Sequence, residues 1–276
     1  MILRGAKLCR VSAVARGLLL ALLITACART PARTARAPGP GPSLKVMTYN
    51  VNYGIAGDAA TIRVIRDGGA DVVFLQETTP LWQAELDATV ADVYPHRAFR
   101  HWGGAGGLGV LSRLPVEDGG FLRPRGDGWF PGWRLIVTTS FGRVQVLTVH
   151  LHPPVSEGGS FVAGYFTTSG VRRQEIEGFV AQLDPALPTL IVGDFNEADG
   201  EAVRFLAGRG LKSALPEFKP AANTWHWPTS VMTFRDRLDH IIYDPRLEPL
   251  AADVIYEGRS DHFPVISVLA PIRPRP

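Results

Sequence analysis

The 276-residue sequence predicts a single α/β domain in which two packed β-sheets are covered by helices. Apolar segments of strand length recur along most of the chain, and helical patterns separate several of them. The apolar share of 46% is enough to fill a large core. The sequence shows neither an internal repeat nor a second folded unit, so we predict one domain over residues 44–276.

The predicted strands are short apolar or alternating segments, and several of them stop at a polar residue or a glycine. They lie at residues 45–51, 71–76, 108–112, 133–140, 143–151, 188–194, 237–243, 251–256 and 264–269. Phe141 and Gly142 separate two of these strands and indicate a hairpin. The helices carry apolar residues on one face and are predicted at residues 58–67, 80–90 and 171–183.

The first 27 residues have the pattern of a bacterial secretory leader. Four basic residues flank or precede a short apolar run at 18–24, which cannot cross a bilayer because a spanning helix needs about 20 apolar residues. Residues 24–27 (Ile-Thr-Ala-Cys) look like a lipobox, so Cys27 is predicted to receive lipid. Cys9 lies in the leader, so the mature chain would form no internal disulfide. We expect a lipid-anchored protein of the cell envelope, or a secreted one.

Residues 28–43 are rich in Ala, Pro, Gly and Arg, which predicts a flexible tether. Leader and tether hold seven of the 29 basic residues and no acidic one, so 22 basic and 26 acidic residues remain and give the domain a formal charge of −4. A slightly acidic domain is not typical of proteins that hold DNA of any sequence through many phosphate contacts. The arginines of the tether are expected near anionic lipid headgroups.

Polar and ionisable side chains stand at or near the ends of the predicted apolar strands. They are Asn50, Glu77, His150, Asp194, Asn196, Asp239, Asp261 and His262. Two packed sheets can bring such residues to one edge, where carboxylates and amides suit a hard cation such as Mg²⁺. Histidines beside them suit charge stabilisation or proton transfer in phosphate chemistry. Each motif alone also fits a structural role, such as a turn or a helix cap.

Taken together and in this order, the motifs resemble those of the endonuclease/exonuclease/phosphatase superfamily. The resemblance extends from Leu44 to the end of the chain. It rests on residues 49–51 (Tyr-Asn-Val), 75–77 (Leu-Gln-Glu), 109–113 (Gly-Val-Leu-Ser-Arg), 150–151 (His-Leu), 193–196 (Gly-Asp-Phe-Asn), 237–241 (Arg-Leu-Asp-His-Ile) and 260–262 (Ser-Asp-His). It implies a four-layer α/β sandwich of two mixed β-sheets flanked by helices, and a phosphoric ester hydrolase that uses Mg²⁺ or Mn²⁺.

The resemblance also implies the residues that hold the metal. Asn50 and Glu77 would be ligands, and Asp261 would assist them or lie directly behind. Asn52 occupies a position where other members carry a different polar residue, and we treat it as a candidate for substrate contact.

Five residues acquire catalytic roles from the resemblance. His150 and His262 would contact the scissile phosphate, and Asp239 would orient His262. Asp194 would orient or deprotonate the attacking water, and Asn196 would bind a phosphate oxygen. A carboxylate that fixes the tautomer of a histidine is consistent with the pairing of Asp239 and His262.

Three further residues are candidates for substrate contacts, each with an alternative. Trp225 and Trp227 would stack on a base or enter a membrane interface, or they would instead cover the core. His152 stands two positions after His150 on the same strand face, so it would reach the phosphate or remain a rim residue.

We therefore predict a monomeric, metal-dependent phosphodiesterase that acts outside the cytoplasm on nucleic acid or on a phosphorylated headgroup. Deoxyribonucleases, sphingomyelinases and inositol-phosphate phosphatases share the His-Leu form found at 150–151, so the catalytic residues do not separate these branches. A phosphomonoesterase acting on small phosphates is one alternative. A surface-tethered binding protein without chemistry is another, although such a protein should have lost at least one of Glu77, Asp194 or His262.

Overall fold

The computed structural model describes residues 31–37, 39, 41–124, 126–154, 164 and 167–272. Cys27 and the predicted leader lie outside these residues. The segment Ala32–Pro276 forms one compact unit. Within the described part of the chain, no helix is both long enough and apolar enough to cross a membrane.

Strands make up most of the regular structure. In chain order they are β1 (Leu44–Asn50), β2 (Val72–Gln76), β3 (His96–Arg100), β4 (Leu108–Ser112), β5 (Val116–Leu122), β6 (Gly132–Thr139), β7 (Gly142–His150), β8 (Thr189–Asp194), β9 (Lys212–Ser213), β10 (Trp225–Pro228), β11 (Thr233–Asp236), β12 (Asp239–Tyr243), β13 (Leu247–Val254) and β14 (Val265–Pro271). The helices are a 3₁₀ turn (Tyr53–Ile55), α1 (Ala59–Asp67), α2 (Pro80–Thr89), α3 (Ser169–Val180), α4 (Glu201–Gly208) and α5 (Leu215–Phe218).

Local sequence explains where the first two long helices begin. The side chain of Asp58 accepts a hydrogen bond from the backbone N–H of Thr61 and caps α1. The side chain of Thr79 does the same for Trp82, and Pro80 occupies the first turn of α2. These caps fix the start of each helix, and the apolar faces of both helices pack on the sheet that contains β1 and β2.

The strands form two mixed sheets of six and a separate hairpin, β10–β11, within the described residues. The first sheet has the order β13-β14-β1-β2-β4-β3, and the second has the order β5-β6-β7-β8-β12-β9. Each sheet contains one parallel pair at its centre, β1–β2 in the first and β7–β8 in the second, and the remaining pairs are antiparallel. The carboxyl ends of two parallel strands lie at the same edge of their sheet. Residues that follow β1 and β2, or β7 and β8, can therefore contribute to one site.

Successive side chains along a strand point to opposite faces of its sheet, and this alternation produces the layers of the fold. In β1, Val46 packs into the core between the sheets, while Met47 and Tyr49 pack towards α1 and α2. In β8, Leu190 belongs to the core between the sheets and Ile191 to the core beneath α3 and α4. The order is therefore helix, sheet, sheet, helix. This confirms the predicted α/β sandwich of two mixed sheets flanked by helices.

Several elements were not predicted because their sequences lack an apolar run. Strand β3 alternates exposed and half-buried residues, and half of the strand residues in the hairpin β10–β11 are exposed. The strand expected at 251–256 is longer and earlier, since it begins at Leu247 and its register shifts between Pro249 and Ala251. Proline cannot donate a backbone hydrogen bond to a neighbouring strand and is therefore rare inside strands. A strand that contains one is hard to predict from its sequence pattern.

Part of the predicted tether lies along the domain. The Arg33 guanidinium pairs with the Glu217 carboxylate at 2.7 Å and covers the ring of Phe218. Arg36 pairs with Glu248 at 2.9 Å. In the described residues these two arginines are therefore engaged by side chains of the domain itself.

Gly193 permits the close approach of β7 and β8 beside the site. Its φ is 137°, and a Cβ built there would lie 1.9 Å from the carbonyl oxygen of Val149. Gly142, the first residue of β7, has a similar φ of 118° but nothing within 4 Å of such a Cβ.

These two glycines form a matched pair for a stability test. We expect Gly142→Ala to lower the free energy of unfolding by about 1 kcal/mol through backbone strain alone. Gly193→Ala should cost at least about 2 kcal/mol more because the methyl group also displaces β8 from β7. Urea unfolding of both variants measures the difference, and equal costs would contradict the close-approach explanation.

Candidate active site

The two parallel strand pairs bring site residues from both sheets together. Asn50 ends β1, and Glu77 follows β2. His150 and Asp194 are register partners at the last positions of β7 and β8. Asp239 begins β12 directly opposite Asp194. Five strand ends from two sheets therefore meet at one edge, as the positions of these residues in the sequence predicted.

The Asp194 carboxylate lies at the centre of this arrangement. Its Oδ2 is 3.5 Å from Nε2 of His150 and 3.5 Å from Nε2 of His262. The same oxygen accepts a hydrogen bond from Nδ2 of Asn50 at 3.1 Å, and Oδ1 accepts one from the backbone N–H of Asn196 at 2.8 Å. A buried carboxylate with four polar neighbours is held in one orientation, with Oδ2 directed between the two imidazoles.

His262 is fixed from behind by Asp239. Nδ1 of His262 lies 2.8 Å from Oδ2 of Asp239, which leaves Nε2 facing Asp194. Burial alone lowers the pKa of His262, but the Asp239 and Asp194 carboxylates outweigh it and raise the pKa to about 10. Asp239 itself is fully buried, and this burial raises its pKa above the ordinary value. The Asp239 carboxylate therefore favours the protonated form of His262, and the predicted pairing is present in the geometry.

His150 is oriented by two partners that the sequence did not indicate. Its Nδ1 lies 3.1 Å from the carbonyl oxygen of Ala105, so Nδ1 carries the proton and Nε2 faces Asp194. The ring of Phe130 stacks on the imidazole at 4.4 Å between centroids. Both partners come from loops without a strand or helix pattern, which is why neither was predicted.

Backbone strain in the chain concentrates at the site. Among the described residues, the non-glycine residues with positive φ are Asn52 (59°), Glu77 (62°) and Asn196 (52°). All three are site residues predicted from the sequence. Such conformations cost about 1–3 kcal/mol each and are kept where the surroundings enforce them, which is typical of functional sites.

Asn196 turns its side chain back towards the second sheet. Its Nδ2 donates to the carbonyl oxygen of Leu151 at 2.9 Å, and the residue is nearly buried at the cavity wall. The amide is thereby anchored beside His150. Its predicted contact with a phosphate oxygen stays a prediction.

Asn50 and Glu77 offer the donor set that a hard cation prefers. The Nδ2 of Asn50 donates to Oε1 of Glu77 at 2.9 Å and also to Asp194 at 3.1 Å, so one neutral amide separates two carboxylates. This crowding of negative charge suits a divalent cation with oxygen ligands. For Asn50 to act as a ligand, its amide oxygen, which now accepts the N–H of Asn52 at 3.1 Å, would have to turn towards the cation.

A second group of residues also meets the distance criterion for a metal site. Ligand atoms of Asp194, Asp239 and His262 all lie within 4.8 Å of one another. However, the hydrogen bond between Oδ2 of Asp239 and Nδ1 of His262 already occupies one ligand atom of each residue, and both residues are buried. Among the described residues of this group, Oδ1 of Asp239 is the one buried side-chain atom that lacks a hydrogen-bond partner. We therefore interpret this group as a catalytic set and Asn50 with Glu77 as the metal-binding set.

Asp261 and Asn52 form the outer edge of the metal region. Oδ1 of Asp261 accepts from Nδ2 of Asn52 at 3.0 Å, and Oδ2 accepts from Nε1 of Trp225 at 3.2 Å. Trp225 is 8% exposed, whereas Trp227 is 53% exposed. The two predicted tryptophans therefore differ: Trp225 is a buried support, and Trp227 is available to a ligand.

A cavity of about 710 Å³ opens over these residues. Its polar floor is formed by Glu77, His150, Asp194, Asn196, Asp261 and His262. Its walls are mainly apolar, and they include Ala105, Phe130, Pro153, Pro154, Trp225, Trp227, Phe234 and Leu238. Arg235 is the one lysine or arginine among the described lining residues.

His152 is not among the described residues that line this cavity. Its ring lies 4.4 Å from that of Trp129, and Nδ1 lies 2.7 Å from the carbonyl oxygen of Pro153. Its backbone N–H donates to Oε2 of Glu175 at 2.8 Å. His152 is 5% exposed, so the geometry matches neither alternative: the residue is a buried support behind the cavity.

A buried charge network under His152 was not predicted from the sequence. Arg172 pairs with Glu197 at 2.8 Å and donates to the carbonyl oxygen of His152 at 3.2 Å. Glu175, one helical turn further along α3, is 1% exposed, and burial raises its pKa to about 7 although the His152 N–H and Arg172 lower it. This network holds the chain that follows His150 against α3. The helix had been predicted, but its polar face gave no sign that it was buried.

Comparison with known proteins agrees with this arrangement. The model of the Endonuclease/Exonuclease/phosphatase family matches residues 47–262. A search of curated protein sequences finds no match.

Solved structures show the same fold at low sequence identity. An endonuclease/exonuclease/phosphatase from Beutenbergia cavernae DSM 12333 is 22% identical with a TM-score of 0.63, covering 83% of this chain and 72% of that one. D. rerio TDP2 complexed with single strand DNA product is 19% identical with a TM-score of 0.61, covering 83% and 99%. The human Nocturnin catalytic domain with bound sulfate anion is 17% identical with a TM-score of 0.62, covering 84% and 96%.

The two sheets and the convergent acids, amides and histidines define an α/β sandwich with one polar site at a shared edge. The chain belongs to the endonuclease/exonuclease/phosphatase family, because the family model matches more than half of its length.

The raised pKa of Glu175 predicts a pH dependence of stability. Its native pKa of about 7 exceeds the ordinary 4.5, so the folded state binds more protons between these values and loses stability as the pH rises through this window. Glu175→Gln removes this titration. Relative to wild type, its free energy of unfolding should therefore rise by about 1–3 kcal/mol between about pH 5 and about pH 8.

Glu177→Gln is the control, because Glu177 lies on the same helix with its side chain 51% exposed. This variant should follow the wild-type pH curve. Urea unfolding at the two pH values measures all three proteins, and parallel curves for Glu175→Gln and wild type would show that Glu175 does not titrate in this window.

Proposed function

We propose that the protein is a divalent-metal-dependent phosphodiesterase. The observation that carries the proposal is the position of Asp194, whose Oδ2 lies 3.5 Å from Nε2 of both His150 and His262 at the floor of an open cavity. A carboxylate between two imidazoles can orient a nucleophilic water while the imidazoles contact the phosphoryl oxygens. Membership of the family supports the class of reaction.

Asp194, His262 and His150 have different roles in an in-line displacement at phosphorus. Asp194 orients the attacking water and accepts its proton at Oδ2. His262 is held protonated by Asp239 and directs its Nε2–H to a non-bridging or leaving oxygen, where negative charge develops. His150 presents Nε2 from the other side, because Nδ1 is bound to the carbonyl oxygen of Ala105.

Asn50 and Glu77 would hold the divalent cation, and Mg²⁺ or Mn²⁺ suits their oxygen donors. When bound, the cation supplies Lewis-acid stabilisation of the phosphoryl oxygens. Asp261 supports this region through Asn52, and Asn196 lies on the opposite wall beside His150.

The walls of the cavity favour a diester over a small phosphomonoester. A monoester dianion needs several cationic partners, and Arg235 is the one arginine or lysine among the described lining residues. The apolar walls suit the organic group on one side of a phosphodiester. Nucleic acid and phospholipid headgroups both provide such a bond, and the neighbouring D. rerio TDP2 structure contains a single strand DNA product. A binding protein without chemistry would not need the Asp239–His262 pair.

We further propose that the protein acts at the cell envelope, attached through lipid on Cys27. The proposal rests on the lipobox-like residues 24–27 and on the basic leader before them.

Hydrolysis of bis-p-nitrophenyl phosphate by residues 32–276, a compact unit, tests the activity. We expect turnover with MgCl₂ or MnCl₂ and none with EDTA. His262→Ala removes the charge at the leaving or non-bridging oxygen and should lower kcat/KM by at least about 100-fold.

His96→Ala serves as the matched control, because His96 is an exposed histidine on β3. It should retain the wild-type kcat/KM. Metal-independent turnover, or equal activity of His262→Ala and wild type, would contradict the proposed mechanism.

A further inference from the structure

The hairpin β10–β11 concentrates exposed apolar side chains at the mouth of the candidate active site. Trp227 is 53% exposed, Val231 89%, Met232 55% and Phe234 46%. Exposed apolar residues scattered singly are ordinary, but a contiguous group on one projecting element marks an interaction surface. Tryptophan and phenylalanine next to aliphatic residues are the composition of elements that enter the boundary between water and lipid.

We propose that this hairpin docks on a lipid bilayer and that the substrate is a phosphodiester in a phospholipid headgroup at that surface. The inference rests on the proposed function, which it deepens by naming the substrate class. The proposed binding partner of the hairpin is thus a membrane. Single-stranded nucleic acid is the alternative partner, and the binding experiment below distinguishes the two.

The turn at the tip of the hairpin pairs part of its own backbone. The N–H of Thr229 donates to the carbonyl oxygen of Met232 at 2.9 Å, and Thr229 Oγ1 donates to the same oxygen at 2.7 Å. Thr229 Oγ1 also accepts from the N–H groups of Val231 and Met232 at 3.3 and 3.1 Å. Entry into an apolar medium is costly for unpaired backbone groups, so the pairing of these three N–H groups lowers the cost of bringing the tip to the lipid boundary.

The charge of the hairpin favours a lipid surface over a nucleic-acid strand. The whole hairpin, residues 225–236, contains one arginine or lysine, Arg235, and one acidic residue, Asp236 at the end of β11. Residues 226–234, which include the exposed apolar tip, contain no Asp, Glu, Lys or Arg, and a tip of this composition suits a headgroup layer. A groove for single strands instead relies on several lysines and arginines that follow the backbone.

The hairpin is continuous with the catalytic residues. Trp227 and Phe234 are register partners, and both line the cavity. At its base, Trp225 pairs with His262 as an isolated β-bridge, and its Nε1 donates to Asp261. A headgroup held against the exposed end of the hairpin therefore lies on the same wall that leads to His262.

The opposite side of the hairpin is tied to the fold. The ring of His226 stacks on that of Phe263 at 4.7 Å, and the N–H of His226 donates to the carbonyl oxygen of Asp261 at 2.9 Å. Phe263 in turn donates its N–H to the carbonyl oxygen of Thr224 at 2.6 Å. These contacts hold the base of the hairpin, so the exposed tip projects from a fixed support.

Vesicle co-sedimentation of residues 32–276 tests the proposal, since this unit lacks Cys27 and any binding reports on the domain. The probes are vesicles of phosphatidylcholine, vesicles of phosphatidylcholine with phosphatidylglycerol, and a single-stranded oligodeoxynucleotide. The variant is Val231→Ser with Met232→Ser, because neither residue is among the described residues of the cavity wall. We expect at least about a tenfold loss of vesicle affinity. Hydrolysis of soluble bis-p-nitrophenyl phosphate should stay within about twofold of wild type.

Ile272→Ser is the control, because Ile272 is 52% exposed after β14 and apart from the hairpin. It should keep wild-type vesicle binding. Three results would each overturn the inference. Wild type does not bind vesicles, the double variant binds vesicles as well as wild type does, or the double variant loses only binding of the oligonucleotide. Vesicle binding is measured without turnover, so an inactive wild type that still binds vesicles would contradict the phosphodiesterase proposal and leave the membrane-docking surface supported.

Discussion

The site depends on one buried carboxylate, that of Asp194, which both sheets stabilise. Asn50 reaches it from the first sheet, and His150 reaches it from the second. An unpaired charge in a buried position costs several kcal/mol, so the position is tenable only while both sheets are packed and the two imidazoles face it. Folding and assembly of the candidate active site are therefore the same event, because neither sheet alone supplies the partners.

The surrounding structure maintains this arrangement by fixing one orientation of each partner. Asp239 fixes His262 from within the second sheet, and the carbonyl oxygen of Ala105 fixes His150 from a loop. Below them, the ion pair of Arg172 and Glu197 holds the chain beyond His150. Preorganised donors of this kind are effective in catalysis because they need little rearrangement when charge develops at phosphorus. The strained backbone at Glu77 and Asn196 follows from the same requirement.

Periodicity predicted the central strands, and the order of the motifs predicted which of their ends meet. Polar residues that end apolar strands, such as Asn50 and Asp194, are visible in a sequence because their surroundings are regular. The edge strands and the hairpin were missed because exposed β-structure has no apolar period, and Pro249 interrupts another strand. Phe130, Ala105 and Glu175 were missed because their roles arise from contacts between distant segments. Burial of Glu175 is a property of packing that no local pattern encodes.

The assignment of a metal to Asn50 and Glu77, with Asp194, Asp239 and His262 left as a hydrogen-bonded catalytic set, is the central claim of this account. The most direct test is a crystal structure with Mn²⁺ and a phosphorothioate diester, in which anomalous scattering locates the metal. We predict Mn²⁺ at Glu77 and Asn50, the phosphorus between His150 and His262, and an intact hydrogen bond between Asp239 and His262. Mn²⁺ bound by Asp194, Asp239 and His262 would contradict it, because the base of the proposed mechanism would then be a metal ligand.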